Sequence, residues 1–544
     1  MKNIIYFGLC LFLIHCSPPK QEVDMVLKNA TVYTVDSLFT KAEAVAIKDG
    51  KIVAVGTTAH LEQAYNPKES VDIGGKFVYP GFIDAHTHFV RYSLILNQVD
   101  LTGAKSWEEV VDRLTQFSKK HPDGWLIGMG WDQSDWPQNE FPENSRLNEL
   151  FPDRPVVLTR IDSHALIANQ KALEASGVTK NTRIDGGTVE LKNGELTGIL
   201  LDNAMQLVQD KQPEPSRKVK VDALMKAQEN GFAVGLTSVH NLSISYPSVE
   251  LMDSLQQAGK LKMKVYALLM ATEDNLNWLF DKGKIKTQRL QVRGFKAYAD
   301  GALGSRGACL LEPYSDLSNW SGFLRITPQK LDSVAARILQ HKMQLATHAI
   351  GDSANRMVLK TYAKLLKGRN DERWRVEHAQ VINKNDLHYF GDYNIVPSVQ
   401  PTHAISDLDM APKRLGEERL KFAYANKSLL EQNNWLPLGT DFPFVDISPL
   451  HTFFEAVFRQ NATGKPKDGF QMKDALTREE ALRGITIWAA RAGFEEKEKG
   501  SLVSGKDADI VVLDTDLMTA PKSDILQSKV LMTFSNGEQV YALE

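Results

Sequence analysis

Eight short apolar runs, spaced through the middle of the chain, constrain the fold more than any other feature. They are Val78–Ala85, Gly235–Val239, Met263–Leu268, Val292–Tyr298, Gln344–His348, Arg375–His378, Ile395–Val399 and Leu436–Asp441. Helix-patterned stretches, such as Thr327–His341 and Ser353–Lys367, separate most of them. Strands that alternate with helices build βα units and a parallel sheet, and eight such units are what a (β/α)8 barrel requires. The chain, 43% hydrophobic and 24% charged, can bury the core such a barrel needs. The expected fold is therefore α/β, a (β/α)8 TIM barrel.

The two ends of the chain read differently. Residues 23–80 contain the strand-like pieces Asp24–Leu27, Ala30–Val35, Ala44–Ile47 and Lys51–Val55, with Asp49-Gly50 as a hairpin turn. Ala508–Leu513 and Val530–Phe534 continue in that style, and Asn536-Gly537 is a second hairpin turn. A small composite β-domain from both termini, 23–79 with 445–544, is expected beside a barrel spanning 80–444. An oversized stretch, about 97–217, has strand-like pieces of its own and reads as an insertion after the first barrel strand.

The sharpest chemical signal is Asp84-Ala85-His86-Thr87-His88 at the end of the first run. Residues i and i+2 of a strand point the same way, so both imidazoles would meet at the barrel mouth, where barrel enzymes place their chemistry. A His-x-His pair is a weak sign alone. Here it ends a buried strand, where two polar rings at one spot call for a shared partner such as a metal. His348, His378 and Asp441 each end a further run, the fifth, sixth and eighth. Singly each fits a core histidine or a helix cap; jointly they converge on one site. With only Cys10, Cys16 and Cys309 in the chain, a cysteine-rich zinc site is excluded. No Gly-x-Ser-x-Gly elbow occurs, which argues against a serine hydrolase of the α/β class.

The ordered set His86-x-His88, His348, His378 and Asp441 resembles the amidohydrolase superfamily. The phrases Lys296-Ala297-Tyr298-Ala299-Asp300-Gly301, His348-Ala349-Ile350-Gly351-Asp352 and Arg375-Val376-Glu377-His378-Ala379 resemble the branch that includes N-substituted formamide deformylases. The resemblance implies a one- or two-metal centre, with Zn the default. His86 and His88 would hold the buried metal, and His348 and His378 the more exposed one. Asp441 would ligate metal and exchange protons. Lys296 falls where such enzymes can carry a carboxylated lysine bridging two metals; the alternative is an ion pair with a carboxylate such as Asp300. A divalent ion held by His and carboxylate brings the pKa of water to about 7, and Asp441 would pass the proton to the departing nitrogen.

Within the insertion, Arg160-Ile161-Asp162-Ser163-His164 resembles a segment reaching over the site in that branch, making His164 a candidate for orienting a substrate carbonyl. Arg160 could meet an anionic substrate, with a structural ion pair as the simpler reading. Trp131 fits either substrate contact or packing. The leading expectation is hydrolysis of a non-peptide C–N bond (amide, formamide or ureido) in a small molecule. A deaminase of a cyclic or heteroaromatic compound is the alternative, and a surface solute-binding protein a more distant one.

Net charge is −3 with no basic block, so no nucleic-acid partner is expected. The start is a separate matter: a basic N-terminus, the apolar run Ile4–Ile14 and then a proline-containing tether read as a signal peptide over residues 1–22. Cys16 resembles the lipidated cysteine of a bacterial lipoprotein, although His15 departs from the small residue usual before it. Export with a lipid anchor to the membrane is the expectation, and a periplasmic or secreted protein the alternative. Oligomeric state is left open.

Overall fold

The computed structural model describes residues 20–133, 136–138, 140–161, 165–184 and 187–544. At its centre seven parallel strands run in the order Phe82–Thr87, Leu236–Ile244, Lys264–Met270, Leu290–Tyr298, Gln344–Ala349, Arg375–His378 and Val396–Ser398. Residues 436–441 close the ring without forming a regular strand. Leu438 bridges to Val399 in parallel, while Ala85 donates its amide to Leu438 O (3.1 Å) and Asp441 donates to His86 O (2.8 Å). The result is the expected TIM barrel. The strands are almost wholly buried because helices cover the outside of the sheet and side chains fill its inside.

One apolar run serves two sheets. Val78–Ala85, read from sequence as a single barrel strand, splits at Gly81: Phe77–Pro80 belongs to the β-domain and Phe82–Thr87 to the barrel. A Cβ at Gly81 would lie 2.4 Å from Thr237, so only glycine lets the chain cross between the two layers there. Phe77–Pro80 pairs with Ile510–Leu513 from the C-terminus and with Thr31–Tyr33 from the N-terminus. Both chain ends thus share one six-stranded sheet, packed near a four-stranded sheet of residues 21–72.

A buried ion cluster ties this β-domain to the foot of the barrel. Lys264 Nζ, on the third strand, lies 2.6 Å from both Asp507 and Asp509. Lys499 donates to Ser238 Oγ at 2.7 Å. Charges removed from water persist only when paired this closely. Between the first and second barrel strands, residues 99–202 build a six-stranded sheet of their own around Leu114, Trp131, Leu158 and Ile167. Among the described residues, no helix is long and apolar enough to cross a membrane.

Candidate metal centre

His86, His88, Lys296, His348, His378 and Asp441 meet at the C-terminal mouth of the barrel, lining or flooring a cavity of about 1170 Å³. His86, Lys296, His348 and His378 lie on the last residues of their strands. Asp84, one turn of the pleat below His86, accepts from the amides of His86 (3.0 Å) and Thr440 (3.0 Å) and from Thr440 Oγ1 (2.6 Å). That clamp fastens the first strand to the segment carrying Asp441. His88 departs from the sequence expectation. The strand ends at Thr87, and His88 stands at the start of helix Phe89–Ile95, its amide donating to Phe442 O at 2.9 Å. The pair still converges because the bend keeps both rings on Asp441. His378 (φ +70°) and Asp441 (φ +73°) both sit in the left-handed region, a strained placement that persists where the surroundings dictate it.

The chemistry follows from which nitrogen faces where. His86 Nδ1 lies 2.6 Å from Glu377 Oε2. Burial pushes the Glu377 carboxyl up, but Arg375, paired at 2.6 Å, and His86 more than offset it and hold the group ionised. The proton of His86 therefore resides on Nδ1, donated to Glu377, as in carboxylate–histidine–metal triads. Burial and the Lys296 charge bring His86 down to about 4, keeping the ring neutral. Its Nε2 lone pair then faces Asp441 Oδ1 at 3.4 Å, as does His88 Nε2 at 3.3 Å. Burial raises the Asp441 carboxyl, and the imidazoles of His86, His88 and His403 lower it only insofar as they carry a proton. Lone pair facing carboxylate is a repulsive arrangement unless a cation lies between them.

Buried atoms here without a hydrogen-bond partner include His86 Nε2, His378 Nδ1, Asp441 Oδ1 and Lys296 Nζ. Orphaned polar atoms are costly in a core, so their presence among clustered His and Asp side chains fits a site for a metal ion. Two sets have ligand atoms mutually within 4.8 Å: His86, His88 and Asp441, and His378, His403 and Asp441. His403, on helix Pro401–Ser406 just past the seventh strand, was not anticipated. His348 stays beside His378, ring centroids 4.5 Å apart, but its Nε2 points to Gly301 O (3.4 Å) and Asp300 (3.5 Å). The structure thus offers His403 where the sequence suggested His348 as the second histidine of the outer group. The signal was only Gln400-Pro401-Thr402-His403, two residues beyond a strand end and onto a helix.

Lys296 does not pair with Asp300. The Asp300 carboxylate is occupied by the amides of Cys309 (2.8 Å), Ile350 (3.0 Å) and Gly351 (2.8 Å). Lys296 Nζ is left buried, and desolvation brings its ammonium down to about 8. Trp131 is fully buried in the insertion, its Nε1 donating to Leu158 O at 2.8 Å. Arg160 bonds Asp132 (2.5 Å) and Gln133 (2.8 Å). Neither is among the described residues that line the cavity. His164 and Cys16 lie outside the described residues. His240, buried behind the site, accepts from Arg375 at 3.0 Å.

Comparison with known proteins defines the class. Residues 69–541 match the family described as amidohydrolase family, and residues 44–65 an imidazolonepropionase-like composite domain of bacteria. The protein LONG AFTER FAR-RED 3 of Arabidopsis thaliana is 35% identical over 96% of this chain and 93% of its own length. An N-substituted formamide deformylase of Arthrobacter pascens is 28% identical, covering 95% of this chain and 98% of its own. The crystal structure of an uncharacterized metal-dependent hydrolase from Pyrococcus horikoshii OT3 superposes with a TM-score of 0.79 at 30% identity, over 92% of this chain and 99% of that one. The fold is that of metal-dependent hydrolases, and the barrel mouth gathers His and Asp groups that could hold a metal ion. The chain belongs to the amidohydrolase family, in the branch that includes N-substituted formamide deformylases.

Proposed function

We propose that this protein hydrolyses a non-peptide C–N bond, amide, formamide or ureido, in a small molecule. The observation that carries the reading is the pair of ligand sets at the barrel mouth, His86, His88 and Asp441 and His378, His403 and Asp441, the ligand atoms of each lying mutually within 4.8 Å. His86, His88 and Asp441 would hold one divalent ion, zinc first, and His378 with His403 or His348 a second. When bound, such an ion polarises a carbonyl and makes water acidic enough to attack near neutral pH. Asp441, as a carboxylate, takes the proton from the attacking water and returns it to the departing nitrogen. Glu377 holds His86 in its ligand tautomer. Lys296 in its neutral form is a nucleophile toward carbon dioxide, and the carbamate formed, with release of one proton, would offer an anionic oxygen where an ammonium would repel a cation.

A screen of N-formyl, N-acyl, carbamoyl and cyclic-amide compounds against zinc-loaded protein tests this, with release of the amine as readout. The reading expects amine and carboxylic acid (or carbamate) from at least one class. Ammonia from a ring carbon, with no acyl product, would instead assign a deaminase. For the N-terminus we propose export and lipidation at Cys16. Cys16→Ala is expected to leave the membrane fraction, and a variant that still partitions with membranes overturns that anchor.

A further inference from the structure

We infer that the cavity takes a substrate bearing a carboxylate, bound at the mouth by Arg91 and Arg325, with the scissile C–N bond at the floor. The inference rests on the cavity being the substrate site. Arg91 and Arg325 both line it, and neither has a carboxylate or hydrogen-bond partner for its guanidinium among the described residues. Several other arginines of this chain are paired, Arg306 and Arg414 with Asp316, Arg337 with Glu273, Arg373 with Glu496 and Arg375 with Glu377, and Arg293 and Arg491, which also stack on rings, do not line the cavity.

These two are held in place by rings instead. The Arg91 guanidinium lies 4.8 Å from the centre of Phe444 and that of Arg325 lies 5.1 Å from the centre of Tyr298. A guanidinium stacked on an aromatic face loses little freedom when its edge meets a carboxylate, and its fork matches the two oxygens. Tyr298 joins the two ends of the cavity. It lies two residues past Lys296 on the fourth strand, and its ring is 5.4 Å from that of His348. The carboxylates that line the cavity are otherwise engaged. Asp407 accepts from Tyr424 (2.7 Å) and Gln380 (3.3 Å), and Asp441 faces the histidines. The lining adds apolar Leu94, Leu242, Ile244 and Met270, with Asn241 and Ser243 among them. That lining suits a hydrocarbon body linking the two polar ends.

Both arginines are exposed at the rim, so solvent screens them and the effect expected is about tenfold rather than thousandfold. The test is calorimetric titration of the zinc-loaded protein with 4-phenylbutyrate and with its neutral amide, 4-phenylbutyramide. The carboxylate is expected to bind at least tenfold more tightly. R91Q and R325Q should each remove most of that difference and leave the amide unchanged, and R91K or R325K should restore part of it. Carboxylate affinity unmoved by both substitutions means that the anion sits on the metals and overturns the proposal. A parallel fall for acid and amide also overturns it. If no compound releases amine but arginine-dependent carboxylate binding persists, the C–N hydrolysis reading fails while the carboxylate site at Arg91 and Arg325 stands.

Discussion

Glu377 touches no cavity wall, yet it decides which nitrogen of His86 is free to bind. Glu377→Gln keeps the shape and removes the charge that holds the proton on Nδ1. Metal affinity should fall about 10–100-fold, measured by competition with a zinc chelator; an unchanged affinity would show that the tautomer is not held this way. His403→Ala and His348→Ala separate the two candidates for the outer ligand. The variant that loses metal at unchanged fold identifies the ligand, and the ligand sets here favour His403. Glu455 supplies a test of stability away from the site. Burial, then the charge of Asp446, raises its carboxyl to about 8. The folded protein therefore keeps a proton that the unfolded chain loses above its ordinary range near 4.5. Stability from this group is complete below about pH 4.5 and is lost as pH rises through about 8, on the order of 4 kcal/mol. Glu455→Gln should raise the urea midpoint at pH 8 and barely move it near pH 4.5; equal effects at both would contradict the assignment. At this scale the sequence was legible where a candidate ligand stands at the end of an apolar run, as His86, His378 and Asp441 do, all three at the barrel mouth. It was silent where the residue rides a helix, as with His403 and Arg91, because no period or motif separates such a side chain from an ordinary surface one.

The elements show how close packing enforces the site. Gly439 lies where a Cβ would approach the His86 amide to 2.5 Å and His86 Cβ to 2.7 Å. The eighth segment can therefore reach the first strand only with glycine there. Gly439→Ala is expected to cost about 2–4 kcal/mol and to weaken metal binding with it, because Asp441 hangs from the same segment. Denaturation read beside metal content checks this, and a stable, fully loaded variant would contradict it. Seven of the eight strands were legible as apolar runs bounded by helix patterns. The eighth was placed correctly but is held by bridges and single amides rather than a ladder. The split of Val78–Ala85 was not legible, since hydrophobic pattern does not reveal which of two sheets receives a buried residue.

Across the whole molecule, division of labour explains the layout. The terminal strands form a sheet that seals the barrel foot through Lys264, Asp507 and Asp509, while the mouth remains open for chemistry. Hairpin signals at both ends pointed to that sheet, but its strand order depends on long-range pairing that local sequence cannot encode. The central claim is that the barrel mouth is a metal centre. The most direct measurement is the metal content of purified protein and of His86→Ala and Asp441→Ala by elemental mass spectrometry. One or two divalent ions per chain are predicted for the wild type, with at least one lost from each variant. A wild type that holds none after supplementation with zinc and bicarbonate would contradict the account.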